Sequence, residues 1–132
     1  MSVPTIGTCM SPDPVTIPSD LSLADASLRM FDHGFRHLVV MDQHHVAGIV
    51  SERDIALVTG IPGVDKNRVM VAEAMVTHPY IVSHDTSLLE VCSTMLERNL
   101  GTTLVMDDGK LVGIFSVVDA LAQLVAMLGK DR

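Results

Sequence analysis

The sequence predicts an α+β fold of two repeated β-α-β-β-α motifs packed sheet to sheet with pseudo-two-fold symmetry, and three observations carry that prediction. The chain has 132 residues, enough for one compact unit or two small halves sharing a core at roughly 100–200 residues per domain. Sliding it along itself by 65 positions lays residues 10–55 on 75–120 without a gap, with 13 identities in 46 aligned positions. Within each copy the apolar period switches between strand-like and helix-like in the same order.

The coinciding residues are Met10/Met75, Pro14/Pro79, Asp20/Asp85, Ser22/Ser87, Leu23/Leu88, Met30/Met95, Val40/Val105, Met41/Met106, Asp42/Asp107, Gly48/Gly113, Ile49/Ile114, Ser51/Ser116 and Asp54/Asp119. Each copy opens on a Pro-containing stretch that leads to a short extended segment, residues 15–17 and 80–82. Ser22 or Ser87 then caps a helix. Its apolar stripe is Leu23, Ala26, Ser27, Met30 and Phe31 in the first copy, and Leu88, Val91, Cys92, Met95 and Leu96 in the second. That spacing is one helical face. Gly34 and Asn99 stand where a left-handed residue ends each helix. Two β-rich runs follow, 37–42 with 46–50 and 102–107 with 111–115. Asp108-Gly109 is a strong hairpin signal, while Gln43-His44-His45 is a weaker one. A closing helix starts at Ser51 or Ser116.

This divides the chain into a first motif at 1–59, a linker at 60–70 containing Gly60, Pro62 and Gly63, and a second motif at 71–132. One such motif has a small sheet that a single helix barely covers, so the two are expected to pair into one module.

Composition narrows the function. Apolar residues are 48% and charged residues 19%, the balance of a folded chain, and the net charge of −7 with no basic stripe repels a phosphate backbone. Nucleic acid is not an expected partner. No apolar run reaches the roughly 18 residues that a bilayer span needs, and the N-terminus lacks the marks of a secretory signal. Cys9 and Cys92 are too few for a disulfide framework, so a reducing cytoplasm is the expected location. At this length there is no room for a separate catalytic domain. No nucleophile constellation, P-loop or G-x-G-x-x-G is present, so neither an enzyme nor a required cofactor is expected. The six histidines show no ligand spacing, so no metal site is expected, and turn or surface positions account for them.

The copy ends carry chemistry. Ser51 and Ser116 sit where a strand turns into a helix, each followed three residues later by an acid, which is a helix-start pattern. Free N–H groups and the positive dipole end there suit an anion, an Asp suits a pair of ribose hydroxyls, and Arg53 suits phosphate. The simpler account is that Ser51 and Asp54 only cap their helix. The copies differ in charge, because Arg36, His37 and Arg53 correspond to Gly101, Thr102 and Val118. A phosphate should therefore prefer the first copy.

The runs Gly48-Ile49-Val50-Ser51-Glu52-Arg53-Asp54 and Gly113-Ile114-Phe115-Ser116-Val117-Val118-Asp119, with the Met-x-x-x-Pro openings and Arg36-His37-Leu38-Val39-Val40-Met41-Asp42, resemble the cystathionine β-synthase (CBS) domain family. In that family two motifs pair into one Bateman module. The resemblance covers nearly the whole chain. It implies a regulatory module that binds an adenosine-containing nucleotide, AMP, ADP or ATP, in a cleft between the motifs and changes shape or affinity for a regulated protein. Carried over by position, the first site is Thr16, Ile17, His37, Leu38, Val39, Ser51, Arg53 and Asp54, joined by the cation Arg36. The second is Tyr80, Ile81, Thr102, Thr103, Leu104, Ser116 and Asp119. Alternatives are an S-adenosylmethionine-type ligand, or a docking module that ignores nucleotides.

The last helix is apolar nearly all round, which a chain this small hardly covers. Leu121, Leu124, Val125 and Leu128 are therefore expected in a subunit interface, most simply of a two-fold homodimer, in agreement with the resemblance. Docking onto a different protein is the competing account.

Overall fold

The computed structural model describes residues 2–130. The chain forms two compact units, one made of Val15–His78 and the other of Met1–Pro14 with Pro79–Arg132.

In the first unit, strand β2 (Thr16–Pro18) runs parallel to β3 (His37–Asp42), which pairs antiparallel with β4 (His45–Ser51). Helix α1 (Leu23–His33) links β2 to β3, and α2 (Glu52–Thr59) follows β4. The second unit repeats this with β5 (Ile81–Ser83), α3 (Leu88–Arg98), β6 (Thr102–Asp107), β7 (Lys110–Ser116) and α4 (Val117–Gly129). It adds β1 (Ser11–Pro12) on the outer edge of β7, giving the order β1-β7-β6-β5. The architecture is the α+β repeat that the sequence predicts. The short parallel strands lie one residue later than expected, at 16–18 and 81–83.

The caps form as their residue types dictate. Ser22 and Ser87 accept hydrogen bonds from the N–H groups of Asp25 and Glu90 at 3.1 Å each, and Gly34 and Asn99 end their helices at φ 70° and 55°. Both hairpins turn in two residues. Asp108 and Gly109 both take positive φ, while Gln43 does so in the first copy.

Two separate cores result. The first gathers Ile17, Leu23, Ala26, Met30, Leu38, Val40, Val50, Ile55 and Val71, and the second Ile6, Leu88, Val91, Met95, Val105 and Phe115. The helical stripes are narrower than their spacing implies. Ser27 is exposed, Cys92 is half-buried, and Phe31 and Leu96 stand 84% and 85% exposed. With strands this short, a helix reaches its sheet along the Leu23–Ala26–Met30 line alone.

The repeat does not announce an exchange of leading segments, which the fold nevertheless makes. One 3-10 turn, Ile6–Thr8, precedes the first copy, yet its Ile6 is buried in the second core, where Ile6 N–H bonds Thr86 and Leu88 N–H bonds Pro4. The matching turn, Val71–Glu73, precedes the second copy, yet its Val71 is buried in the first core, where Val71 N–H bonds Leu21 and Leu23 N–H bonds Val69. The end of the stretch expected as a plain linker, 60–70, thus bonds to the first unit.

Gly48 and Gly113 follow from this exchange. A Cβ on Gly48 would strike the carbonyl oxygen of Val76 and the Met75 side chain, and a Cβ on Gly113 would strike the Met10 side chain. Each glycine lies beside a bulge in β4 or β7, where pairing shifts between Val40 and Met41 and between Val105 and Met106.

Candidate functional site

The β4–α2 junction of the first unit is built by a reciprocal cap. Asp54 N–H donates to Ser51 Oγ at 3.0 Å, and Ser51 N–H donates to Asp54 Oδ2 at 2.9 Å. Glu52 N–H donates to the Arg36 carbonyl at 2.9 Å, which ties the start of α2 to the turn before β3. The expectation of a cluster of free N–H groups is therefore corrected. Among the described residues, the cap and the Arg36 carbonyl take those of Ser51, Glu52 and Asp54, and that of Arg53 is left for another acceptor. Asp54 Oδ1 has no hydrogen-bond partner among the described residues.

Beside this junction lies an open cleft of about 430 Å³ lined by Arg36, His37, Ser51, Glu52, Arg53 and Ala56. Four expected first-site residues, Arg36, His37, Ser51 and Arg53, share its wall. Glu52 and Ala56 are additions to the expected set, although the helix period places Ala56 one turn after Glu52. Burial holds the His37 imidazole below its ordinary pKa; Asp54 opposes that shift and Arg36 adds to it. His37 is thus neutral at pH 7. Arg36 and Arg53 are exposed cations, and Glu52 is the acid facing the same space.

Other expected residues lie elsewhere. Thr16 is exposed on β2, whereas the Ile17 and Leu38 side chains sit in the first core and Val39 is fully buried. None of these three is open to another molecule, since Ile17 is 1% exposed and Leu38 and Val39 are 0% exposed.

In the second unit the same junction is more fully engaged. Ser116 N–H donates to Asp119 Oδ2 at 2.8 Å, and Asp119 N–H donates to Ser116 Oγ at 3.3 Å. In addition, Ser11 Oγ of β1 donates to Asp119 Oδ1 at 3.0 Å. Tyr80 is covered by Arg98, whose guanidinium carbon lies 5.6 Å from the ring centre. Ile81 is exposed and Thr102 half-buried, whereas Thr103 and Leu104 are fully buried. The Thr103 hydroxyl has no hydrogen-bond partner among the described residues.

On α4, Leu121, Leu124, Val125 and Leu128 are all exposed, and no residue of this helix is buried. No helix among the described residues is long and apolar enough to cross a membrane. No three His, Cys, Asp or Glu side chains among them gather as a metal would require.

Comparison with known proteins places this repeat. The chain is 29% identical over 112 residues to a homoserine O-acetyltransferase of Methanosalsum zhilinae, covering 83% of this chain and 22% of that protein. It is also 29% identical over 111 residues to an uncharacterized 17.7 kDa protein of Acidianus ambivalens, covering 83% of this chain and 66% of that one. The chain therefore spans less than two thirds of either relative. Among solved structures, a CBS-domain containing protein from Agrobacterium tumefaciens superposes with a TM-score of 0.80 at 24% identity, over 89% of this chain and 91% of that one. A CBS domain pair solved in complex with 5′-methylthioadenosine and S-adenosyl-L-methionine superposes with a TM-score of 0.82 at 23% identity, over 99% and 100%. The CBS domain family model matches twice, over residues 6–59 and 71–126, one match to each copy of the repeat, and the chain belongs to the CBS domain family.

Proposed function

We propose that this chain is a regulatory module that binds an adenosine nucleotide through its first copy and signals by a change of shape or of affinity for a regulated protein. The observation that carries this reading is the junction between β4 and α2. Among the described residues, nothing engages the second carboxylate oxygen of Asp54 there, on the turn whose cleft is lined by Arg36, His37 and Arg53. A carboxylate oxygen suits ribose hydroxyls, and a guanidinium suits phosphate. The second copy has Gly101, Thr102 and Val118 at the cationic positions, so a phosphate ligand favours the first. The neighbour holding 5′-methylthioadenosine and S-adenosyl-L-methionine supports adenosine as the shared moiety and keeps S-adenosylmethionine as a second ligand class.

The same reading gives the exposed Leu121, Leu124, Val125 and Leu128 of α4 the role of a homodimer contact. Analytical ultracentrifugation of Leu124→Asp against the parent chain tests that role.

The ligand test is a thermal-shift panel of AMP, ADP, ATP, S-adenosylmethionine and GMP, repeated on Asp54→Ala and Asp119→Ala. A ligand at 100 times its Kd adds about 2.7 kcal/mol, which raises Tm by several degrees in a domain of this size. An adenosine-selective shift lost in Asp54→Ala and kept in Asp119→Ala supports the reading. No shift with any ligand, in a chain that remains dimeric, makes it a nucleotide-independent docking module.

A further inference from the structure

We propose that Ser11 decides which of the two copies accepts a ribonucleoside, because its hydroxyl takes the carboxylate oxygen of Asp119 that the matching Asp54 keeps unengaged. The inference rests on the reading above that these carboxylates hold ribose. In both copies one carboxylate oxygen is committed to the helix cap, at 2.9 Å from Ser51 N–H and 2.8 Å from Ser116 N–H. In the second copy that oxygen accepts from Ser116 Oγ as well, at 3.1 Å, so the other oxygen is the readier acceptor for ribose hydroxyls. On Asp119 this other oxygen already accepts from Ser11 at 3.0 Å.

The molecule supplies its own control. Ser11 is paired with Ile114 along the edge of β7, and the residue 65 positions on, Val76, bridges Ile49 along the edge of β4. The backbone arrangement is the same, but valine has no hydroxyl to offer. Both positions are exposed, so either side chain can be exchanged without opening a core. The charge difference also names the ligand that a released second copy would take. With no cation at positions 101, 102 or 118, it suits an uncharged ribonucleoside rather than a nucleotide.

The experiment is isothermal titration of the whole chain with adenosine and with AMP, on the parent protein, Ser11→Val and Val76→Ser, each checked for an unchanged melting curve. The parent binds one equivalent of AMP. Ser11→Val gains a second equivalent of adenosine, and adding Asp119→Ala removes that gain while the AMP site is untouched. Val76→Ser weakens AMP at the first copy about 3- to 10-fold, the span of one net hydrogen bond in competition. If the parent takes one equivalent of AMP and both variants titrate like it, the role of Ser11 is overturned and the ligand reading stands. Two equal equivalents on the parent also overturn it. If no protein in the set binds adenosine or AMP, the ribose reading fails and this inference falls with it.

Discussion

Leu38 in β3 lies opposite Val50 in β4, and at the matching place in the other copy Thr103 lies opposite Phe115. All four side chains are fully buried. The large partner has changed strands, so the cross-strand pair keeps roughly its combined bulk although neither residue is repeated. A core constrains the summed volume at a contact more tightly than the identity of either member. The second copy retains one polar flaw from this exchange, since the Thr103 hydroxyl is buried without a partner among the described residues.

The largest effect expected from breaking this comparison comes from Phe115→Val, which leaves a cavity and costs about 2–3 kcal/mol. Adding Thr103→Leu reproduces the first-copy pair and is expected to recover most of that loss. Chemical unfolding of the two single variants and the double measures the coupling, and simple additivity would sink the compensation argument. Thr103→Val alone is expected to stabilise by about 1 kcal/mol, because it removes an unsatisfied hydroxyl at nearly constant shape.

The two bulge glycines sharpen the same comparison. A methyl on Gly48 meets a main-chain carbonyl, which cannot move without unpairing Val76 from Ile49. On Gly113 it meets the flexible end of Met10 first, although the Ser11 carbonyl lies 3.0 Å away. Gly48→Ala is therefore expected to cost about 2–3 kcal/mol and Gly113→Ala about 1–2 kcal/mol, read from paired thermal melts. Equal costs would mean that Met10 is held as firmly as backbone.

These glycines also mark where local rules stop being enough. The ungapped repeat, the Ser caps, the left-handed Gly34 and Asn99 and the bounds of β3 and β6 are legible in the sequence because each rests on near neighbours, and each appears where the residues indicate. The exchanged leading segments are not, because Ile6 and Val71 are alike but not identical and nothing local says which core will take them. Gly48 and Gly113 are visible as identities, but their reason lies in Met75, Val76 and Met10, which become neighbours only through that exchange. At the candidate site, Ser51 and Arg53 are legible from spacing and charge, Arg36 from the charge difference between the copies, and His37 through the family resemblance. Ser11 is not, since its partner Asp119 is 108 residues away in the chain.

Charge at the first copy sets the next effect. Arg53→Ala is expected to weaken a phosphate ligand by about 1–3 kcal/mol through loss of a charge-assisted hydrogen bond, whereas Val118→Ala in the second copy leaves it unchanged. Glu52 acts in the opposite direction, as an exposed carboxylate on the wall of the same cleft. Glu52→Gln is expected to tighten AMP a few-fold at low salt, with the gain shrinking as salt screens it. Titration at two ionic strengths checks both, and a weaker AMP complex in Glu52→Gln would show that this acid orients the ligand rather than repelling phosphate.

The smallest effect expected is a pH dependence carried by His37, which Thr102 replaces in the second copy. Burial is the main reason that the folded imidazole resists protonation, with Arg36 adding to it and Asp54 opposing it. The unfolded chain takes up that proton near pH 6.5. The folded state thus binds fewer protons in this range, so the His37 contribution to stability is present above the unfolded pKa and is lost as pH falls through it toward the lower folded value. Melting curves from pH 7.5 to 5.5 are expected to fall more steeply for the parent chain than for His37→Gln. A phosphate beside Arg36 and His37 favours the imidazolium, so AMP binding should take up a proton and its affinity should rise as the pH drops over the same interval. Adenosine, which carries no phosphate, should show no such rise. The AMP phosphate itself takes up a proton at about pH 6, so His37→Gln is the deciding control, and a rise that persists in that variant belongs to some group other than His37.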